Sequence, residues 1–257
     1  MDLSNLDENQ DASPQQKPAK APKFNFRDNI LFEDADYILI NKPPFISTLE
    51  DRHERQNILS VARKEVPTAQ VCHRLDKETS GVLAIAKNPE AYRHMSIQFE
   101  KRQVTKIYHA VVDGIHSFHD TLVDLPILKL EDGVVRISRS EGKHAETYFT
   151  SLKPYRQQTL VQCRPVTGRM HQIRIHLASL GASITGDETY GGKPFLLSAI
   201  KRDYNLKKGT EEASFIKRMA LHAFSLEFDD LSGKRQKVEA PYPKDLNALL
   251  RQLEANK

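Results

Sequence analysis

The chain has 257 residues, 39% of them hydrophobic, which is enough for one sizeable core or two small ones. Lysine and arginine number 38 against 34 acidic residues, so the net charge of +4 favours a polyanionic partner only weakly. Two cysteines without C-x-x-C spacing point away from a disulfide framework and a cysteine-bound zinc, and no apolar run approaches the length of a membrane span; we expect a monomer of the reducing cytoplasm, neither exported nor membrane-embedded.

In chain order, residues 1–23 are rich in Asp, Asn, Gln, Pro, Lys and Ala with almost nothing apolar, so a disordered polar tail is expected ahead of a single domain over 24–257. Lys17, Lys20 and Lys23, spaced by Pro18 and Pro22, read as solvated linker. Short apolar or β-branched runs bounded by turn residues predict strands over 30–32, 37–40, 82–86, 108–112 and 159–163. Helical spacing marks 60–65, 89–101, 170–180 and 244–254. The fold class is therefore α+β, a large mixed or antiparallel sheet flanked by helices, and the charged stretch over 199–217 reads as a surface loop or small helix.

Three places carry candidate chemistry. Asp76 lies between Arg74 and Lys77, two cations that favour an ionised carboxylate, fit to act as nucleophile or base and unfit to act as acid. Thr79, Ser80 and Gly81 supply a turn, and the apolar run over 82–86 would hold that turn rigidly as a buried strand. On the strand over 108–112, alternation puts Tyr108, Ala110 and Val112 on one face and Ile107, His109 and Val111 on the other, so Tyr108 is either a pocket wall or a core tyrosine. In the helix over 170–180, Met170, Ile173, Leu177 and Leu180 share an apolar face with Arg174 at its edge, a partly buried guanidinium that wants a carboxylate or else snorkels. His171 and His176 are five apart with no acidic third ligand nearby, unlike the i, i+4 pairs of helical zinc sites, so no metal is expected.

The string His73-Arg-Leu-Asp-x-x-Thr-Ser-Gly81 resembles the signature of the RluA-type pseudouridine synthases. Lys106-Ile-Tyr108 is similar to that family's K-x-Y strand, while P-V-T-G-R-M-H-Q-I-R-I-H over 165–176 and Gly186-Asp-x-x-Tyr-Gly191 resemble its third block. Ile38-Leu-Ile-Asn-Lys-Pro43 and Leu221-His-Ala-Phe-Ser-Leu226 resemble its opening and closing strands, so the resemblance spans residues 28–246 in the family's order.

The resemblance implies an isomerase that turns uridine into pseudouridine in structured RNA, ribosomal or transfer, with no cofactor. It implies Asp76 as the essential carboxylate, Tyr108 against the target uracil and Arg174 paired with Asp76. Arg74 would fill the place of a flipped base, and Lys42, Lys106 and Arg169 would contact phosphate or brace the pocket. His73 stands with this substrate-binding set, with capping or packing as its other reading. Whether Asp76 attacks the anomeric carbon or removes a sugar proton stays open. Two other classes stay open as well: a catalytically silent RNA-binding or RNA-folding factor of the same fold, and a nucleoside or glycoside hydrolase that would need a second carboxylic acid from Glu78, Asp187 or Glu188. The polar tail stands where some family members carry a small basic RNA-binding domain, so substrate choice is expected to rest on the catalytic domain and its loops.

Overall fold

The stretch Ser80–Ala86 contains no charge and all seven of its residues are buried; a strand of that kind needs partners on both edges and cover on both faces. The computed structural model, which describes residues 24–50, 56–131, 133–201, 204–205 and 209–257, supplies both. Its strands are β1 (Ile30–Glu33), β2 (Tyr37–Lys42), β3 (Gln70–Val71), β4 (Ser80–Ala86), β5 (Thr105–Asp113), β6 (Thr121–Asp124), β7 (Ile127–Lys129), β8 (Val135–Ile137), β9 (Glu146–Pro154), β10 (Gln158–Pro165), β11 (Leu221–Asp229) and β12 (Arg235–Glu239). Its helices are α1 (Ile58–Glu65), α2 (Pro89–Glu100), α3 (Gln172–Ser179) and α4 (Lys244–Ala255). The tail over 1–23 lies outside the described residues.

Ten strands form one sheet in the order β1-β2-β4-β11-β5-β10-β9-β6, with β3 also beside β4 and β12 beside β11. The β4–β11 pair is parallel and the other pairs are antiparallel, so the sheet is mixed, while β7 and β8 make a separate hairpin. Each predicted strand lies within an observed one. The helices differ at their starts: α1 begins two residues early because Asn57 caps it, accepting the Ser60 N–H at 2.8 Å while Ser60 Oγ accepts the Asn57 N–H at 3.1 Å. The α3 helix begins two residues late because His171 has left-handed backbone geometry (φ 50°) and cannot continue a helix backwards. Of 199–217, Ala199 ends a 3-10 turn over Leu197–Ala199, and the rest of the described part is irregular.

Alternation assigns each face of the sheet its own cover. Ile38, Ile40, Leu83 and Ile85 pack on Ile58 and Ala62 of α1, while Tyr37, Leu39, Val82 and Ala84 pack on Ala91 and Met95 of α2. A third cluster joins Val111 and Val161 to Leu177 of α3 and to Leu246, Leu249 and Leu253 of α4. Tyr108 touches both the α1 cluster and this third one, at their seam.

The seam is also where the central strand changes partner. One edge of β4 pairs with β2 along its whole length, from Tyr37 opposite Ala86 to Lys42 opposite Gly81. The other edge is divided, with β3 at Ile85 and Ala86 and β11 at Ser80 and Gly81. The chain over 72–79, which carries Asp76, runs from the first partner to the start of β4. Gly81 makes the second contact possible: its φ is +114°, and a Cβ there would lie 2.1 Å from the Ala223 carbonyl oxygen on β11.

Three buried or half-buried histidines are spent on this framework. His222 sits between Ser80 Oγ (2.9 Å) and the Ala240 carbonyl (3.1 Å), His109 stacks on Phe224 at 4.1 Å and bonds the Tyr242 hydroxyl at 2.6 Å, and His73 Nε2 accepts the Ala84 N–H at 3.1 Å. Burial pushes His222 and His109 down to about 4 and His73 to about 3. These rings are neutral in the fold at pH 5 and protonated in the unfolded chain, where histidine titrates near about 6.5. Their contribution is therefore complete above about pH 6.5 and is lost as pH falls toward the folded values. Denaturant unfolding measured from pH 7 to 4 is expected to show an uptake of at least about three protons on unfolding near pH 5; a stability flat across that window would contradict the burial of these rings.

Candidate active site

The loop bearing Asp76 is held through its backbone. Thr48 Oγ1 accepts the Leu75 N–H at 3.2 Å and donates to the Leu75 carbonyl at 2.9 Å, and the Lys77 carbonyl takes the Phe45 N–H at 2.8 Å. Arg218 donates to the Glu78 carbonyl at 3.0 Å, and the Thr79 N–H closes a turn on the Asp76 carbonyl at 3.0 Å. Clamped on both sides, the loop leaves the Asp76 side chain to project into a cleft, where it is 34% exposed.

Arg218 is the strongest of these clamps and one that the sequence reading missed. Its side chain is fully buried and forks onto Asp245 of α4 at 2.6 and 3.1 Å, while its remaining donors reach the Glu78, Met219 and Leu221 carbonyls and Ser80 Oγ. One guanidinium thus ties the loop to β11 and to α4. It lies in a part of the chain with no helical or strand period around it, so only the structure reveals its partners.

Arg174 corrects an expectation. Its principal partner is Asp187, by a bidentate contact from Nε at 2.6 Å and Nη2 at 2.8 Å, and both side chains are almost wholly buried. Asp76 is its second partner, with Oδ2 3.5 Å from Nη1. The guanidinium also lies over the Tyr190 ring, 4.9 Å from its centroid. Asp187, considered above only as a second acid, has both oxygens occupied by Arg174. Glu78, another candidate acid, accepts the Met219 N–H at 3.3 Å, and Glu188 is exposed.

Asp76, Tyr108 and Arg174 line one cleft of about 1460 Å³, beyond the roughly 300–1,000 Å³ of small-molecule sites. Burial, with the charge of Asp76 adding to it, pushes the Tyr108 phenol far above its ordinary pKa, so it stays neutral. Lys106 lines the same cleft, donates to the Thr167 carbonyl at 3.0 Å and is lowered by burial to about 8. Arg74 and Arg169 are exposed at the rim, Arg169 braced by a 3.0 Å bond to the His144 carbonyl. Lys77, Arg102 and Lys129 add further positive charge to the lining.

Two members of the expected substrate-binding set do something else. Lys42 is 0% exposed and does not line the cleft; its Nζ donates to the carbonyls of Pro43 (3.0 Å), Ile46 (3.0 Å) and Lys77 (3.1 Å). Burial and then Arg218 push it down to about 7 against the opposing pull of Asp76, but three carbonyl acceptors match the three donors of an ammonium and favour keeping the proton. It cannot reach phosphate, because its charge is walled in behind the loop. His73 borders the cleft, yet its Nε2 is bonded to the backbone of β4 and its ring packs 5.2 Å from Phe99, so it takes the packing role.

Both nitrogens of His176 are spent, Nδ1 on Thr147 Oγ1 and Nε2 on the Leu125 carbonyl, each at 2.9 Å. Gln172 and His176 are buried where an amphipathic α3 would expose polar residues, because β9 offers them Thr147 as a partner. Among the described residues, the ligand atoms of Asp124, His144 and Glu146 gather within 4.8 Å on the surface, and Arg102 already supplies a cation there at 3.5 Å from Glu146.

Comparison with known proteins gives the family. Residues 36–179 match the family model of RNA pseudouridylate synthase. An uncharacterized RNA pseudouridine synthase of Zymomonas mobilis is 36% identical over 84% of this chain and 94% of its own length. Ribosomal large subunit pseudouridine synthase C of Escherichia coli is 36% identical over 88% of this chain and 70% of its own. Among solved structures, human RNA pseudouridylate synthase domain containing 4 superposes with a TM-score of 0.69 at 26% identity, covering 89% of this chain and 94% of that one. The chain belongs to the RNA pseudouridylate synthase family, in its RluA-type branch, and is an RNA pseudouridine synthase, an isomerase.

Proposed function

We propose that this enzyme isomerises specific uridines of structured ribosomal RNA, taking the target base out of its stack and using Asp76 as the reacting carboxylate. The observation that carries this reading is the meeting of Asp76, Tyr108 and Arg174 in one cleft, with Asp76 Oδ2 3.5 Å from the guanidinium. The ribosomal substrate rests on relatives whose names specify the large ribosomal subunit. Cys72, with its pKa raised to about 12 by burial, and the buried Cys163 are both free, which fits a reducing compartment.

The reaction breaks the bond from the sugar C1′ to N1, turns the uracil and joins C5 to C1′. The proton on C5 is lost and N1 gains one, so atoms and electrons balance without any added group. Charge developing between sugar and base needs a nearby carboxylate, as in glycoside cleavage, and water must be kept away from C1′. Asp76 supplies the carboxylate, either by bonding to C1′ or by taking a sugar proton. The neutral ring of Tyr108 offers the freed uracil a stacking surface worth about 1–3 kcal/mol. Arg74, exposed at the rim, occupies the gap left by the flipped base and offsets part of the few kcal/mol that unstacking costs. Lys106 and Arg169 meet the RNA backbone.

A hydrolase would need a second carboxylic acid held as a donor, and the engagement of Asp187 and Glu78 with other partners disfavours that reading. A silent RNA-binding factor has no use for a pinned, partly exposed Asp76 beside a buried arginine.

Nucleotide-resolution mapping after incubation with ribosomal RNA lacking the modification is expected to find new pseudouridine with the wild type, and a rate lower by more than about a thousandfold with Asp76→Asn. Modification by Asp76→Asn at the wild-type rate would overturn the assignment, and release of free uracil would support a hydrolase. Lys42→Met is expected to lower stability by about 2–4 kcal/mol in denaturant titration. It should leave the salt dependence of RNA binding unchanged, whereas removal of a phosphate contact would reduce that slope by about one.

A further inference from the structure

His171 stands beside the reacting carboxylate in a conformation that needs a reason. It is a non-glycine residue at φ 50°, in the left-handed region, immediately ahead of α3. Its Nε2 lies 3.9 Å from Asp76 Oδ2, and its Nδ1 is 2.9 Å from the Tyr190 hydroxyl. That hydroxyl accepts the Val135 N–H at 3.0 Å, and among the described residues Nδ1 is the acceptor within reach of its own proton. A neutral imidazole accepting at Nδ1 carries its hydrogen on Nε2, the nitrogen facing Asp76. The charged groups around the ring are Asp76 on the loop, Arg174 on α3 and Asp187 in the turn after it. Burial is the largest influence on the ring and lowers its pKa, which favours the neutral form.

Val135 belongs to β8, and the hairpin it forms with β7 reaches the cleft through Lys129 and Gly133. The hairpin is not part of the main sheet. It packs through a small cluster of Ile127, Val135 and Ala145 on Met170, Ile175 and Tyr190. An RNA seated in the cleft therefore touches an element whose backbone is bonded to Tyr190.

We propose that Tyr190 and His171 are positioning residues which fix the imidazole tautomer so that Nε2–H steadies Asp76 Oδ2, linking the RNA-contacting β7–β8 hairpin to the orientation of the reacting carboxylate. The separation of 3.9 Å in the free protein is too long for a direct hydrogen bond and closes when RNA presses on the hairpin. The inference rests on Asp76 being the reacting group.

The test uses full-length Tyr190→Phe, His171→Asn and Asp76→Asn proteins with a modifiable ribosomal RNA fragment, measuring single-turnover rate, RNA affinity and the pH dependence of the rate. Tyr190→Phe keeps the ring under Arg174 and removes only the hydroxyl, and Asn tolerates the left-handed backbone at 171. Each is expected to lower the single-turnover rate by about tenfold, the worth of one hydrogen bond to a charged group, with RNA affinity within about twofold of wild type. Without the hydroxyl donor at Nδ1 the neutral ring can take the Nδ1–H tautomer and lose its donor toward Asp76, whereas the imidazolium carries both hydrogens, so the rate deficit of Tyr190→Phe should shrink as pH falls. The double variant Tyr190→Phe/His171→Asn should lose that recovery. Folded single variants with wild-type rates and pH profiles would overturn the proposal while leaving Asp76 intact, provided Asp76→Asn is inactive. Activity of Asp76→Asn would instead remove the reading on which it rests.

Discussion

A guanidinium whose side chain is only 10% exposed must be paired, and at Arg174 the pairing is divided unequally between two aspartates. Asp187, itself 2% exposed on its side chain, takes the short bidentate contact that compensates burial. Asp76 receives what is left, a single longer contact at 3.5 Å. The division matters chemically. A carboxylate gripped by both guanidinium nitrogens would be well held and poorly available, whereas one touched at the edge stays accessible to the cleft. Asp187 thus allows a buried cation to stand beside Asp76 without taking up its carboxylate.

The remainder of the fold keeps that geometry from relaxing. The seven buried residues of β4 anchor the loop at one end, and Gly81 lets β4 and β11 meet where a side chain would collide with the Ala223 carbonyl. Thr48 and Lys42 hold the loop from the β2 side and Arg218 holds it from the β11 and α4 side, all through backbone carbonyls or amides. Polar groups buried in this way are costly unless fully bonded. Here Arg218 has its donors satisfied by Asp245, Ser80 and three carbonyls, so the cost is offset while the loop is left with one position.

Much of this could be read from the sequence because it depends on local pattern. The uncharged run over 82–86 and the helical spacing over 89–101 both survive in the fold, as the buried β4 and as α2. The motif strings single out Asp76, Tyr108 and Arg174, and these three line one cleft. What could not be read were long-range partners. Arg174 was expected on Asp76 alone, since nothing local distinguishes an Asp187 that pairs from one that titrates. Lys42 resembles any strand-end lysine until three carbonyls, one of them 35 residues away, converge on it. The start of α3 was misplaced because the apolar period runs through Met170, while the left-handed backbone of His171 obeys a tertiary demand and not a helical one.

Asp187, as the counter-ion of Arg174, leaves Asp76 free, and Asp187→Asn tests this with least disturbance of shape. The measurement is the single-turnover rate of pseudouridine formation in the folded variant, alongside its RNA affinity. With the charge removed, Arg174 should turn to Asp76 as its remaining carboxylate. The rate should then fall by about a hundredfold while affinity changes little, as for a misplaced reacting group. A folded Asp187→Asn protein that modifies RNA at the wild-type rate would contradict it.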